Sequence, residues 1–380
     1  MEIRKVGILD FARSPICPSK NGSLNALPGI EIAAQVIKQL LARNPALPGD
    51  AIESVVVGCA FPEAENGLNV ARGLALKSGL PESVAGITVN QFCASSQQAL
   101  MMVADAIAVG KGDVGVVVGL EHMTRVPMGG YNPWYDSELA EQGFYIGMGD
   151  TAENLAREID VSRVDQEDFA KQSHDKALAA ISAGAFAKEV VPIALPDGSS
   201  CATDECPRTP DMDKIRGLKP AFIKDGTVTA ATSSPVSVGA AAAIVCSAEL
   251  AEQLGLALRA EIVTTAVAGC DPKTMGRGPL PATDKALERA GMTLADIDLI
   301  ELNEAFAAQS LYVIRKGGWD AEKVNVLGGA IALGHPLGMS GIRIVGTAIT
   351  ALEHKGATTA LATMCVGGGQ GTATILRKEG

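Results

Sequence analysis

Short, almost wholly apolar runs at 6–9, 55–58, 86–89 and 114–118 alternate with longer stretches at 30–41, 68–78 and 96–109, where apolar residues recur every three or four positions. The first kind predicts buried strands and the second predicts helices, which together give an α/β architecture. The same order returns later, with strand patterns at 261–266, 299–302, 324–327 and 359–364 and helix patterns at 282–290, 307–316 and 340–353. Locally, IESVVVGCAF ending at Phe61 resembles IDLIELNEAF ending at Phe306, an offset of 306 − 61 = 245. The chain therefore reads as two copies of one unit, 1–250 and 251–380. A stretch from about 120 to 250, rich in Pro, Gly and charge and without a counterpart in the second copy, reads as an inserted loop domain.

Composition sharpens this picture. With 47% hydrophobic residues but only 4% aromatic and 42 Gly, the core must be built from Ala, Val, Ile and Leu with backbones in close approach. The formal net charge of -11 argues against nucleic acid or an anionic membrane as a main partner. No apolar stretch approaches the length of a membrane span and the first residues, MEIRKVGILDFAR, lack an apolar signal region, so a cytoplasmic protein is expected. Eight Cys without a CxxC pair suggest reduced thiols, with no disulfide framework and no structural metal.

In an α/β sheet the loops beyond the strands' carboxyl ends meet at the ligand. Here those loops carry FCASS around Cys93, NEAF at 303–306, GHPLG around His335 and MCVGGGQG around Cys365. Cys93 stands between a strand end and a helix that Ser95 or Ser96 can cap, where the helix dipole should make its thiol ionise more easily than the free value of about 8.5. His335, enclosed by glycines and followed by Pro, is the natural base for a thiol. Cys365 opens a glycine run whose N–H groups can face an oxyanion, and Asn303 can hold a water, although Asn303 and Glu304 could equally cap the next helix. Cys17, Cys59, Cys246 and Cys270 read as apolar fillers, and His122, His174 and His354 as structural or surface residues.

The segments VNQFCASSQQAL, MGDTAENLA (148–156), NEAFA (303–307), GGAIALGHPLGMSG (328–341) and TMCVGGGQGTA (363–373) resemble, in order and nearly end to end, the motifs of the thiolase family. The resemblance implies the thiolase fold, duplicated halves in five layers α-β-α-β-α with a loop domain over the ligand. It implies acyl exchange between coenzyme A thioesters, with CoA and acyl-CoA as substrates and no metal or redox cofactor. Cys93 would be the nucleophile, His335 its activator, Asn303 the holder of a water, Cys365 the second acid–base thiol and Gly367 an oxyanion donor.

By the same resemblance the CoA and acyl site would include Arg208, Phe222, Ser234, Met148, Met275 and Phe306. Ser95-Ser96, Gly147-Met148 and the stretch LEHMTRVPM are similar to degradative 3-ketoacyl-CoA thiolases of fatty acid β-oxidation; the alternative is a biosynthetic acetoacetyl-CoA thiolase, and a non-catalytic carrier is a further rival. The aromatic residues Tyr131, Trp134, Tyr135, Phe144 and Tyr145 would line an acyl channel or simply pack a lid. Val238 stands where the family commonly has Asp. The family implies a homodimer or dimer of dimers, joined in bacterial β-oxidation complexes by a hydratase/dehydrogenase subunit.

Overall fold

The computed structural model describes residues 3–378. Five long strands belong to the first half: β1 (Val6–Arg13), β2 (Ser54–Gly58), β3 (Ala85–Val89), β4 (Val114–His122) and β5 (Ser237–Ser247), the last also pairing with the two-residue strand Cys17–Pro18. Four belong to the second: β6 (Ala260–Gly269), β7 (Leu299–Leu302), β8 (Thr359–Val366) and β9 (Gln370–Arg377). They form one sheet in the order β7-β8-β9-β6-β1-β5-β4-β2-β3. The halves join where β1 and β6 pair antiparallel, over Gly7–Glu261 and Ile8–Ala260.

Read outward from that seam, β1-β5-β4-β2 mirrors β6-β9-β8-β7, which is the spatial form of the sequence repeat. The starts of β2 and β7 (299 − 54) and of β4 and β8 (359 − 114) keep the offset of 245. The outermost place, filled by β3 in the first half, is reduced in the second to an isolated bridge between Ile300 and Val324. The strand expected at 324–327 therefore does not form. Asn325, at φ +47, turns the chain away, and its side chain both accepts from Leu302 N–H and donates to Leu302 O at 2.8 Å, replacing the ladder with a side chain.

Period-2 alternation explains the layers. In β4, Val114, Val116, Val118 and Leu120 pack outward with α1 (Gly29–Ala42) and α2 (Val70–Lys77), while Val117 faces the middle. The middle layer is α3 (Ser95–Ala108) with a long helix, Leu337–Lys355, whose residues are buried from Leu337 to Leu352. Both sheet halves pack on this pair through one core that includes Val117, Ala243, Ala362 and Met364. Helices Pro279–Ala290 and Ala307–Gly317 cover the outer face of the second half. The result is the five-layer α-β-α-β-α arrangement. Among the described residues no helix is long and apolar enough to cross a membrane.

The inserted loop domain is shorter than expected. β5, wholly buried and pairing with both β1 and β4, belongs to the sheet although it lies inside 120–250. A run dominated by Ala, GAAAAIVCS, lacks the β-branched density that marks a strand. The lobe is anchored by a buried ion cluster in which Arg13 of β1 binds Glu189 at 2.6 Å and both carboxylate oxygens of Asp204 at 2.6 and 2.9 Å.

Candidate active site

The chain leaves β3 through a strained turn. Phe92 adopts φ +45, a left-handed conformation costly for a bulky residue, and local bonds hold it there. Its N–H donates to Asn90 Oδ1 at 2.8 Å, its carbonyl accepts from Ser95 Oγ at 2.6 Å, and Ser95 Oγ in turn accepts from Gln91 N–H at 2.9 Å. Neither Ser95 nor Ser96 caps α3 as expected, because both are already helical; Ser96 Oγ accepts from Ile342 N–H of the neighbouring helix at 2.9 Å.

Cys93 sits on this turn, half-buried among Ala60, Phe61, Met123 and Leu337. Burial pushes its thiol up to about 11, although the backbone N–H groups of Gly367 and of Cys93 itself, directed at the sulfur, act the other way. The expectation of an acidic thiol is thus corrected. Desolvation by apolar neighbours outweighs the helix terminus, so the resting group is a protonated thiol.

His335 is reached through a short helix, Ala330–Leu333, and Gly334. Gly334 has φ +105, and a Cβ there would lie 2.6 Å from Ile16 Cγ2, so only glycine admits this approach. The buried imidazole places Nδ1 2.5 Å from Ser340 Oγ and Nε2 3.4 Å from Asn303 Nδ2. Ser340 Oγ also donates to Pro336 O at 3.1 Å, so we assign the Nδ1–H tautomer with its lone pair on Nε2. Burial, reinforced by Arg343, depresses the imidazole to about 3. The ring is neutral across the ordinary pH range.

Asn303 is buried, and its Oδ1 has no protein partner, so the amide keeps an acceptor for a small polar guest. Neither it nor Glu304 caps the following helix. Glu304 is instead a buried tie, accepting from Ser173 Oγ at 2.6 Å, Asn325 Nδ2 at 2.8 Å and Ile331 N–H at 3.1 Å. Cys365, buried at the end of β8, has its thiol held well above the ordinary value by burial and then by Cys93 and Cys270. Cys93 thus has the second thiol, Cys365, and the N–H groups of Gly367 and of its own residue for neighbours, while the neutral imidazole and the buried amide of Asn303 form a second pair 3.4 Å apart.

Residues 6–249 match the family model described as thiolase, N-terminal domain, and residues 256–378 that of thiolase, C-terminal domain. The chain belongs to the thiolase family. It is 45% identical to the 3-ketoacyl-CoA thiolase of Aeromonas hydrophila, covering 99% of this chain and 100% of that one. Among solved structures, an acetyl-CoA acetyltransferase of Bacillus anthracis matches at TM-score 0.91 with 36% identity over 100% of both chains. Human mitochondrial 3-ketoacyl-CoA thiolase in complex with CoA matches at 0.91 and 34%, over 99% of this chain and 98% of that one.

In this thiolase the further site residues fall into distinct places. Met148, Met275 and Phe306 join Cys365 in one apolar cluster. Phe222, 48% exposed, stands edge-on to Phe306 at 5.7 Å with its ring over Gly149. Ser234 is tied to the Asn303 loop, its N–H donating to Ala305 O at 3.0 Å. Arg208 is exposed on the lobe, its N–H donating to His174 Nδ1 at 3.3 Å. Val238 is buried in the outer core of the first half and pairs in the ladder with Cys17 and His122.

Of the lobe aromatics, Trp134 is 88% exposed and Tyr131 packs no ring, whereas Phe144, Tyr145 and Tyr135 do. They extend a chain of rings, Phe61–Phe92–Phe144–Tyr145–Tyr135, with centroids 4.9 to 6.5 Å apart. The Phe144 ring lies over Gly368, beside the Cys365 loop.

Four contributors escaped the sequence reading. Ser340 orients His335; its place five residues on, in the helix's first turn, was the available signal. Phe61 and Phe92 wall the thiol. Glu121, at the end of β4, accepts from Ala60 N–H and Gly338 N–H at 2.8 Å each, so one buried carboxylate fastens the Phe61 loop to the helix that follows His335. Burial raises Glu121 to about 7.

Proposed function

We propose that this thiolase cleaves 3-oxoacyl-CoA with CoA, giving acetyl-CoA and an acyl-CoA shortened by two carbons. The reading is supported by the 45% identity to a 3-ketoacyl-CoA thiolase and rests above all on one observation: the Cys93 sulfur lies under two backbone N–H donors with the second thiol, Cys365, close by. A protease-like Cys–His pair has no use for that second thiol.

Because burial disfavours both thiolate and imidazolium, the proton leaves Cys93 for His335 Nε2 as the sulfur attacks the 3-oxo carbon, not before. Cleavage of the C2–C3 bond leaves an acetyl-CoA enolate, stabilised by the newly formed Nε2–H and by a water on Asn303. Cys365 gives its proton to C2. It then takes one from the incoming CoA thiol, whose attack on the Cys93 acyl group passes through a tetrahedral oxyanion held by the N–H groups of Cys93 and Gly367; its collapse expels the Cys93 sulfur, which recovers its proton from His335. No electrons leave the system, so no redox cofactor is called for. Arg208 would meet the nucleotide end of CoA, and Phe222, Ser234 and Met148 its pantetheine.

The ring chain from Phe92 to Tyr135 suits an acyl tail longer than that of acetoacetyl-CoA. An acetyl-CoA acetyltransferase is the second reading, favoured by the 36% match to the Bacillus anthracis enzyme. One assay separates them: thiolysis of 3-oxoacyl-CoAs from four carbons upward. Preference for the longer chains supports the first reading, strict preference for acetoacetyl-CoA the second, and absence of turnover on every chain overturns both.

The chain would act as a homodimer, or a dimer of dimers, in the cytoplasm. In support, β3 is a sheet edge paired on one side, and its Ile87 is 46% exposed. Light scattering giving only a 39.0 kDa species would overturn this. A hydratase/dehydrogenase subunit would be sought by co-purification.

A further inference from the structure

We infer that Cys17, Cys201 and Glu205 form a binding site for a thiophilic divalent cation of the zinc type, which fastens the loop domain to the first half. These residues take no part in the chemistry above. Cys17 lies in a two-residue strand, Cys17–Pro18, against Val238 of β5; Cys201 ends the lobe hairpin formed by Ile193–Ala194 and Ser200–Cys201. The fold brings together groups 184 positions apart in the chain.

The spacing is what distinguishes a cation site from a disulfide. The two sulfurs are 3.6 Å apart, Cys201 Sγ is 3.7 Å from Glu205 Oε1, and the three donor atoms lie within 4.8 Å of one another. Tetrahedral zinc with S at about 2.3 Å and O at about 2.1 Å sets S···S at about 3.8 Å and S···O at about 3.6 Å. A disulfide requires about 2.05 Å. The two distances that Cys201 makes, to Cys17 and to Glu205, lie within a few tenths of an ångström of the tetrahedral spacing, so these donors need little movement to take the cation, whereas bonding the sulfurs needs a larger one.

The surroundings hold this set in place. Glu205 accepts from Ser23 N–H at 3.0 Å and from Ser23 Oγ, and its own N–H donates to Ile16 O at 3.0 Å. Asp204, gripped by Arg13, accepts from Ile16 N–H at 2.8 Å. Outer partners of this kind fix ligand orientation before the ion arrives. Both sulfurs are buried, while Glu205 is exposed, so the fourth coordination position would face solvent. On binding, two S–H bonds break and two metal–sulfur bonds form, and the two protons go to water.

The test uses the full-length protein, stripped with chelator and kept reduced, carrying Cys93→Ala so that the reactive thiol does not compete. Titration with Zn²⁺ against a chromophoric chelator, and with Co²⁺ followed by absorption, should give one cation per chain. The cobalt form should show thiolate charge transfer and the visible bands of a tetrahedral site. Cys17→Ser or Cys201→Ser should weaken binding by about 100-fold or more, at least the loss that outer partners alone cause. Glu205→Gln, at an exposed position, should weaken it by about tenfold with the far-ultraviolet dichroism unchanged, which covers the case in which a Cys variant misfolds. Less than one equivalent bound, or affinity indifferent to Cys17→Ser, Cys201→Ser and Glu205→Gln, would overturn the site. So would a cobalt spectrum without thiolate bands.

Discussion

Nδ1 of His335 lies 2.5 Å from Oγ of Ser340, five residues on and one helical turn inside Leu337–Lys355. The rigid helix thereby fixes the ring of a residue that itself sits on an irregular loop. Ser340→Ala removes the hydroxyl that Nδ1 meets and leaves a buried N–H without that acceptor, which should cost about 1–3 kcal/mol in urea unfolding. Because the ring can then turn or change tautomer, kcat should fall about 10- to 100-fold with little change in KM. An unchanged kcat beside the lost stability would reduce Ser340 to a purely structural role.

The ionisation states predict a broad pH profile. With His335 depressed to about 3 and Cys93 raised to about 11, neither titrates between pH 5 and 9. These two groups should therefore produce no limb of kcat/KM in that interval, which a profile measured in constant-ionic-strength buffers checks. The sign for stability follows from the same shift: the depressed His335 contributes fully above its unfolded value of about 6.5, and loses that contribution as pH falls through about 3. Burial raises Glu301 to about 8, which works oppositely, stabilising below about 4.5 and losing its effect as pH rises through about 8. Chemical denaturation across pH should accordingly show stability falling on both sides of the weakly acidic range.

Cys93→Ala and Cys365→Ala should fail in different ways. The first removes the acyl acceptor, so no acyl-enzyme forms and none is seen by intact-protein mass spectrometry. The second keeps the acceptor but removes the proton carrier at C2. Exchange of the acetyl-CoA methyl protons with deuterium oxide, read by proton NMR, should slow by about 10²–10⁴. Equal exchange rates in wild type and Cys365→Ala would contradict the assignment.

Phe144 joins the rings on the Cys93 turn to those of the lobe. Phe144→Ala should raise KM for long-chain 3-oxoacyl-CoA about tenfold, corresponding to about 1.4 kcal/mol of lost aromatic contact, and leave acetoacetyl-CoA nearly unaffected. Equal effects on both would mean the rings only pack the lobe.

Arg13 has three charged contacts in a fully buried place. Arg13→Met should destabilise by about 3–5 kcal/mol, since Glu189 and Asp204 would remain buried without a cation. Protease cleavage within 199–208 should rise with it, as the lobe loses its anchor.

The sequence by itself determined the repeat, the chemistry-bearing loops and the type of element around each. Apolar periodicity is local, and residues such as Cys93, Asn303, His335 and Cys365 stand in short segments that keep their identity whatever the surrounding packing. Strands 54–58 and 299–302, the first part of 6–13 and the six helices of the two repeated units were legible for the same reason, to within a few residues at their ends, whereas the loop-domain helices Met148–Glu158 and Arg163–Ser182 were not. What the tertiary structure decided was everything set by surroundings. β5 and β9 are strands because each is paired on both sides within the sheet, a condition no local pattern announces. The Cys93 thiol is weakly acidic because Phe61, Met123 and Leu337 exclude water from it, and none of those residues adjoins it in sequence. The pairing of Cys17 with Cys201, and of His335 with Asn303, is likewise a fact about distance in space, which residue spacing along the chain does not contain.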